Sequence, residues 1–186
     1  MKKIAILALV LFYGSSQSVW ADSFDINVND QSARFIYANA TGVRAQTDLG
    51  FLYNEDEYNV GHFGLHLVGQ TGDQSQGLTG ALGVRLYGIY NDPLEILAVG
   101  IGGALVFAPP QLAHGRLGFR LDGHFAPGVV TFQDADSMYE FNMAVEYQLL
   151  NNGWVYGGFR RIRAELDKGK NIDADEGGYV GLRIEF

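Results

Sequence analysis

The sequence predicts an all-β protein, a transmembrane antiparallel up-and-down β-barrel of about ten strands, with eight as the alternative. Three observations lead there: a leader at the front, a march of segments in which apolar and polar residues alternate, and an aromatic residue at the C-terminus. The closing segment, Gly177 to Phe186, is the clearest. Val180, Leu182, Ile184 and Phe186 share one face, and Tyr179, Gly181, Arg183 and Glu185 share the other. That is the period of a strand, with one oily and one polar side. The oily side is expected to face outward, into lipid.

Residues 1–21 read as a secretory signal peptide, and residues 22–186 as one outer-membrane barrel domain. Lys2 and Lys3 precede an apolar stretch from Ile4 to Tyr13, and Val19-Trp20-Ala21 is a small-x-small-like cleavage site. The stretch is too short and wrongly flanked for a membrane span. There is no Cys, which excludes a lipid-anchored leader, disulfides and thiol chemistry. Without Lys2 and Lys3 the 13 Lys+Arg become 11 against 21 Asp+Glu, a balance of −10. Nucleic-acid binding rewards a basic surface, so it is excluded.

Period-2 segments follow, each bounded by turn residues. Phe24 to Val28 and Ser32 to Asn39 form a short hairpin. Then come Gly42 to Tyr53, Tyr58 to Gln70, Gly77 to Tyr90, Leu94 to Phe107, Leu112 to Phe125, Ser137 to Leu149, Gly153 to Leu166 and Gly178 to Phe186. Such a regular march is what a transmembrane barrel writes into a sequence. Tyr53, Tyr58, Tyr90, Phe107, Phe125, Tyr139 and Trp154 fall at segment ends, where aromatic girdles sit. Lipid tolerates no unpaired edge, so the barrel closes. With both ends of the chain in the periplasm the strand count is even. The last eight segments suffice for eight strands, and the hairpin raises the count to ten. A crossing needs about 9–11 residues, and the hairpin strands are short for that. On this parity the 54–57, 91–93, 126–136 and 168–177 loops face outside.

The polar faces point into the lumen. The lining residues are Arg44, Asp48, His62, His66, Arg85, Arg116, Arg120, Asp122, Glu140, Glu146, Arg160 and Arg183, of both signs. Buried charges must be paired, and Arg116, Arg120, Glu140 and Glu146 lie on neighbouring segments. The inward residues of Leu94 to Phe107 (Ile96, Ala98, Gly100, Gly102 and Ala104) are mostly small and make room for long ones opposite. A side-chain-filled, salt-bridged lumen follows, because a barrel this small has little interior to spare.

GHFAPGVVTF (123–132), YEFNMAVEYQLLNNGWVYGGFRRI (139–162) and DEGGYVGLRIEF (175–186) carry a resemblance. Phe125-Ala126-Pro127, Tyr139-Glu140, Gly158-Phe159-Arg160-Arg161-Ile162 and Gly178-Tyr179-Val180-Gly181 resemble the motifs of the YfaZ-type outer-membrane β-barrel family of Gram-negative bacteria. The resemblance covers roughly the last third of the chain. It implies a barrel in the outer membrane and no known activity, so it supplies no catalytic residues.

Metal binding and catalysis are weighed on the residues themselves. His62 and His66 lie four apart on one strand, roughly 13 Å, too far for one ion. The segment with His114 and His124 is not adjacent to theirs. Polar lumen filling is therefore the reading, with no metal and no cofactor. Ser137, Asp134, Asp136 and His124 gather near one loop, but no nucleophile motif frames them, and the expectation is no enzyme. Arg161 and Arg163 fall on the outer face near the external end of their strand. There they are candidate contacts for lipopolysaccharide phosphates, which suit the Arg fork. The other expected partner is the barrel-assembly machinery, through Phe186. The expected role is structural or at the cell surface, in the cell outer membrane. A narrow channel for ions or small solutes is the alternative, and an embedded enzyme the third.

Overall fold

A computed structural model describes residues 22–42, 44–55, 58–70, 77–92, 94–166 and 171–186. The leader assigned to residues 1–21 lies outside them. The strands are β1 (Ser23–Val28), β2 (Ser32–Ala40), β3 (Ala45–Asn54), β4 (Asn59–Gln70), β5 (Leu78–Asn91), β6 (Leu94–Phe107), β7 (Leu117–Ala126), β8 (Thr131–Gln133), β9 (Ala135–Leu150), β10 (Gly153–Leu166) and β11 (Asn171–Glu185). All pair antiparallel in one sheet. β1 pairs with β11 and β5 with β6, so the sheet closes on itself.

Ten staves make the ring, because β7 and β8 are two pieces of one. β7 pairs with β6 over Ile101–Phe107, and β8 pairs with it again over Ile96–Ala98. Between the pieces, Pro127 has no N–H to give to a ladder. The chain bulges through a 3₁₀ turn at Gly128–Val130, and the Thr131 hydroxyl donates back to Pro127 O at 3.1 Å. The short hairpin belongs to the barrel. Its turn is held by Asn29, whose side-chain oxygen accepts from the Gln31 amide at 2.9 Å. The ten-strand expectation therefore holds over eight.

Three segments begin three or more residues from where the sequence places them. β3 starts at Ala45, which leaves Arg44 exposed in a turn. β7 starts at Leu117, because Ala113, His114 and Gly115 all take left-handed backbone. This leaves His114 and Arg116 exposed in the connection. The expected loop at 168–177 is mostly strand, since β11 begins at Asn171. An extra residue in β11 shifts its register opposite Ile162/Arg163. Below the shift odd-numbered residues face inward. Above it even-numbered ones do, so Ala174 and Asp175 both point into the lumen. A bulge re-aims side chains in this way.

The inside is layered. At the end away from the chain termini, Leu52, Val60, Ile89, Ile96, Met138 and Ile162 form an apolar cap, each at most 2% exposed. Below it lie the charged residues, then tyrosines and arginines towards the termini. The outside is the reverse. Leu49, Leu67, Leu82, Ile101 and Val180 are 60% exposed or more, and they belong to an apolar band that runs round every stave. Monomeric soluble proteins rarely expose such a continuous patch. Tyr53, Tyr90, Phe107 and Phe125 sit on this outer face. Two expected girdle residues do not: Tyr58 packs against the inner cap, and Trp154 lies in the lumen under Arg183. No helix among the described residues is long and apolar enough to cross a membrane.

Candidate functional site

The lumen carries the chemistry, and alternation builds it. Each stave offers every second residue to the interior, and stagger decides which of them meet. Glu140 on β9, 2% exposed, is the hub. Its Oε1 lies 2.6 Å from Nη1 of Arg34 on β2. Its Oε2 accepts from Arg85 Nη1 on β5 at 3.0 Å and from the Tyr87 hydroxyl at 2.6 Å.

Asp48 on β3 is the second anion. Its Oδ2 lies 2.9 Å from His66 Nδ1, and its Oδ1 lies 3.2 Å from Arg85 Nε. His62 Nε2 approaches Oδ1 to 3.0 Å, off the N–H axis. Arg85 reaches Asp122 at 3.4 Å. His66 and His124 meet Nε2 to Nε2 at 3.1 Å. β4 and β7 are not neighbours, as the sequence reading had it, yet the lumen is narrow enough for their side chains to touch across it. This corrects the expectation that these histidines stay apart.

Two further networks flank the hub. Arg160 on β10, 1% exposed, donates to Asp175 at 2.6 Å, to Ser32 at 3.2 Å and to Asn27. Towards the termini, Glu146 takes Arg120 at 2.6 Å and Arg183 at 3.1 Å. Arg183 lies 4.7 Å over the Trp154 ring, and Arg120 pairs with Asp25 at 3.7 Å. Of the twelve residues read as lumen-lining, Arg44 and Arg116 are thus exposed in turns, while Asp48, His62, His66, Arg85, Arg120, Asp122, Glu140, Glu146, Arg160 and Arg183 line the interior. The sequence reading missed Asp25, Asn27, Arg34 and Asp175. The first two alternate with Phe24, Ile26 and Val28, a signal that was present in the short hairpin. Asp175 needed the bulge.

Asp122, His124 and Glu140 are the one group among the described residues whose ligand-type atoms come within metal-binding reach of each other. Arg85 Nη1 already sits among them, 3.4, 3.4 and 3.0 Å from the three. A permanently charged guanidinium takes the place a cation would fill. Ser137 and His124 do not come together: the Ser137 hydroxyl donates to Glu165 at 3.2 Å, and His124 is committed in the lumen.

On the outer face, Arg163 bonds Asp173 through Nε at 2.7 Å and Nη2 at 2.6 Å. Arg161 bonds the same carboxylate at 3.1 Å and Glu176 at 3.1 Å. Among the described residues, Nη1 of neither arginine has a protein partner. Two apolar grooves lie further down the same strand and meet at Gly157 and Val145.

A closed ring of ten staves, ions paired within and hydrocarbon displayed without, defines a small β-barrel protein with a filled lumen. The chain belongs to the YfaZ precursor family, whose model matches residues 1–186. A comparison with curated proteins returns no match. Among solved structures, a chain described under "Unveiling the Mechanism Behind the in-meso Crystallization of Membrane Proteins" is similar over 89% of this chain and 83% of its own. Its identity is 11% and its TM-score 0.38, a likeness too slight to argue from.

Proposed function

We propose that this protein is a small integral barrel of the outer membrane with a structural or cell-surface role and a lumen closed by its own side chains. The inside-out distribution of residues carries the reading. Buried arginines and carboxylates neutralise one another inside, while the outer band has the composition that lipid requires. The apolar cap and the Glu140 hub lie in series, which leaves no continuous polar path from end to end among the described residues. Single-channel recording tests this on the refolded protein, after heat-modifiable gel migration has verified folding. Silence is expected. Steady, salt-dependent conductance steps would instead favour a narrow channel, the reading that the partly exposed Asp122, Arg120 and Arg183 support.

The outer arginines extend the proposal to lipid. Arg161 and Arg163 stand at the end of β10 away from the termini, at the level of Phe141 and Tyr139. We propose that their outward Nη1 groups meet lipopolysaccharide phosphates while Asp173 holds the two forks in place. Replacing both by Ala is expected to lower co-purified lipopolysaccharide severalfold while the folded band persists; unchanged lipid content would sink the idea. The assembly machinery is proposed to engage Phe186, which lies on the outer face 69% exposed. Comparing insertion rates of wild type and Phe186→Ala checks that contact, and equal rates would exclude it.

A further inference from the structure

The meeting of His66 and His124 has a direction. Their Nε2 atoms are 3.1 Å apart and their ring centroids 5.3 Å apart, so the two nitrogens lie almost on the line joining the rings. That is the arrangement of a single N–H···N bond, with one donor and one acceptor. Two ligands meeting head-on at this distance leave no place for a metal ion, which needs bonds of about 2 Å to each.

The far nitrogens decide which ring donates. His66 Nδ1 lies 2.9 Å from the Asp48 carboxylate, which only accepts, so the His66 proton sits on Nδ1 and its Nε2 accepts. His124 Nδ1 lies 3.4 Å from Nη1 of Arg85, which only donates, so the His124 proton sits on Nε2. The result is an ordered row in which Arg85 donates to His124, His124 to His66, and His66 to Asp48. It ties β5, β7, β4 and β3 together through the lumen.

We propose that this row is a proton-operated brace, closed when both imidazoles are neutral and released when the pair takes up one more proton. Both accepting nitrogens already face donors. A proton on His66 Nε2 meets the N–H of His124, and a proton on His124 Nδ1 meets a guanidinium that cannot give one up. The neighbours offer no ready alternative. His66 faces Asp48 on β3 and His124 on β7, with His62 beside it on β4. His124 faces Arg85 on β5, Asp122 on its own strand at 3.8 Å, and Glu140 on β9. Glu140 is held by Arg34, Arg85 and Tyr87. His66 already has Asp48 on Nδ1, so a proton on its Nε2 sets it against the His124 N–H, while a proton on His124 Nδ1 must turn from Arg85 to reach Asp122. Protons reach the row from the terminal end, where Asp122, Arg120 and Arg183 side chains are 13%, 19% and 13% exposed. The cap seals the other end.

The test uses the protein in lipid nanodiscs with ¹⁵N-labelled histidine. At pH 8 the imidazole nitrogens should report the Nδ1–H form of His66 and the Nε2–H form of His124. Unfolding in denaturant should accelerate about tenfold or more between pH 8 and pH 5, as expected where the unfolded state binds the extra proton. His124→Gln keeps one donor and one acceptor but takes no proton, so it should cut that acceleration at least threefold. His114→Gln, outside the lumen, should leave it unchanged. Opposite tautomers in the wild type, a rate flat from pH 8 to pH 5, or an equal pH dependence in His124→Gln would each overturn the proposal. Should His124→Gln fail to fold, the wild-type tautomers and His66→Gln decide it.

Discussion

Glu140→Ala is expected to remove about 3–5 kcal/mol of folding stability, the cost of breaking a buried ion pair from one side. The variant leaves Arg34 and Arg85, with side chains 3% and 9% exposed, facing each other without their shared carboxylate. It also strips the Tyr87 hydroxyl of its acceptor. Glu140→Gln should fall between, because its amide oxygen still accepts from a guanidinium but carries no charge. The charge argument makes a sharper statement about a pair. Arg34→Leu combined with Glu140→Leu should cost less than the two single changes added together, since neither charge is then stranded. Denaturant titrations of the refolded protein, followed by the fluorescence of Trp154 in the lumen, supply all of these values. A loss below about 1 kcal/mol for Glu140→Ala would mean that water enters and solvates the hub.

Val145→Arg tests the opposite face. Val145 points outward, 48% exposed, opposite Phe119 on β7 and Gly157 on β10. It lies near the middle of the apolar band. In a bilayer an outward arginine there should cost about 2–4 kcal/mol. The same change on a water-washed surface stays within about 0.5 kcal/mol. Refolding equilibria in phospholipid vesicles measure the difference, and the small value would place this face in water.

Much of the fold was legible because a strand's period survives in sequence. Val180, Leu182 and Ile184 sort outward in the structure as they do in the string, and Ile96 and Ala98 sort inward. Where a strand starts is less legible. Arg44 and Arg116 continue the alternation of their segments, but each lies exposed one residue before its strand begins, with its carbonyl still bonded to the neighbouring strand. At Arg116 the cause is the left-handed run at Ala113–Gly115, which alternation cannot reveal. The identity of partners is the least legible. His66 and His124 are 58 residues apart on non-adjacent staves, and their meeting depends on stagger and lumen width. Arg160 was read as inward, yet its partner Asp175 was assigned to a loop, because one bulged residue reverses the alternation of β11.

The unequal staves carry a consequence for the surrounding bilayer. β1 has 6 residues and β2 has 9, whereas β9 has 16 and β11 has 15. At about 3.3 Å per residue, β1 reaches about 20 Å and falls short of a hydrocarbon core of about 30 Å, which β2 only just matches. The adjoining β9–β11 flank exceeds it. Such a lopsided mismatch is relieved by tilting the barrel axis or by thinning the lipid along one flank, at fractions of a kcal/mol per Å. Membrane thickness would thus set the lipid strain along the β1 flank, and a shorter-chain lipid would relieve it.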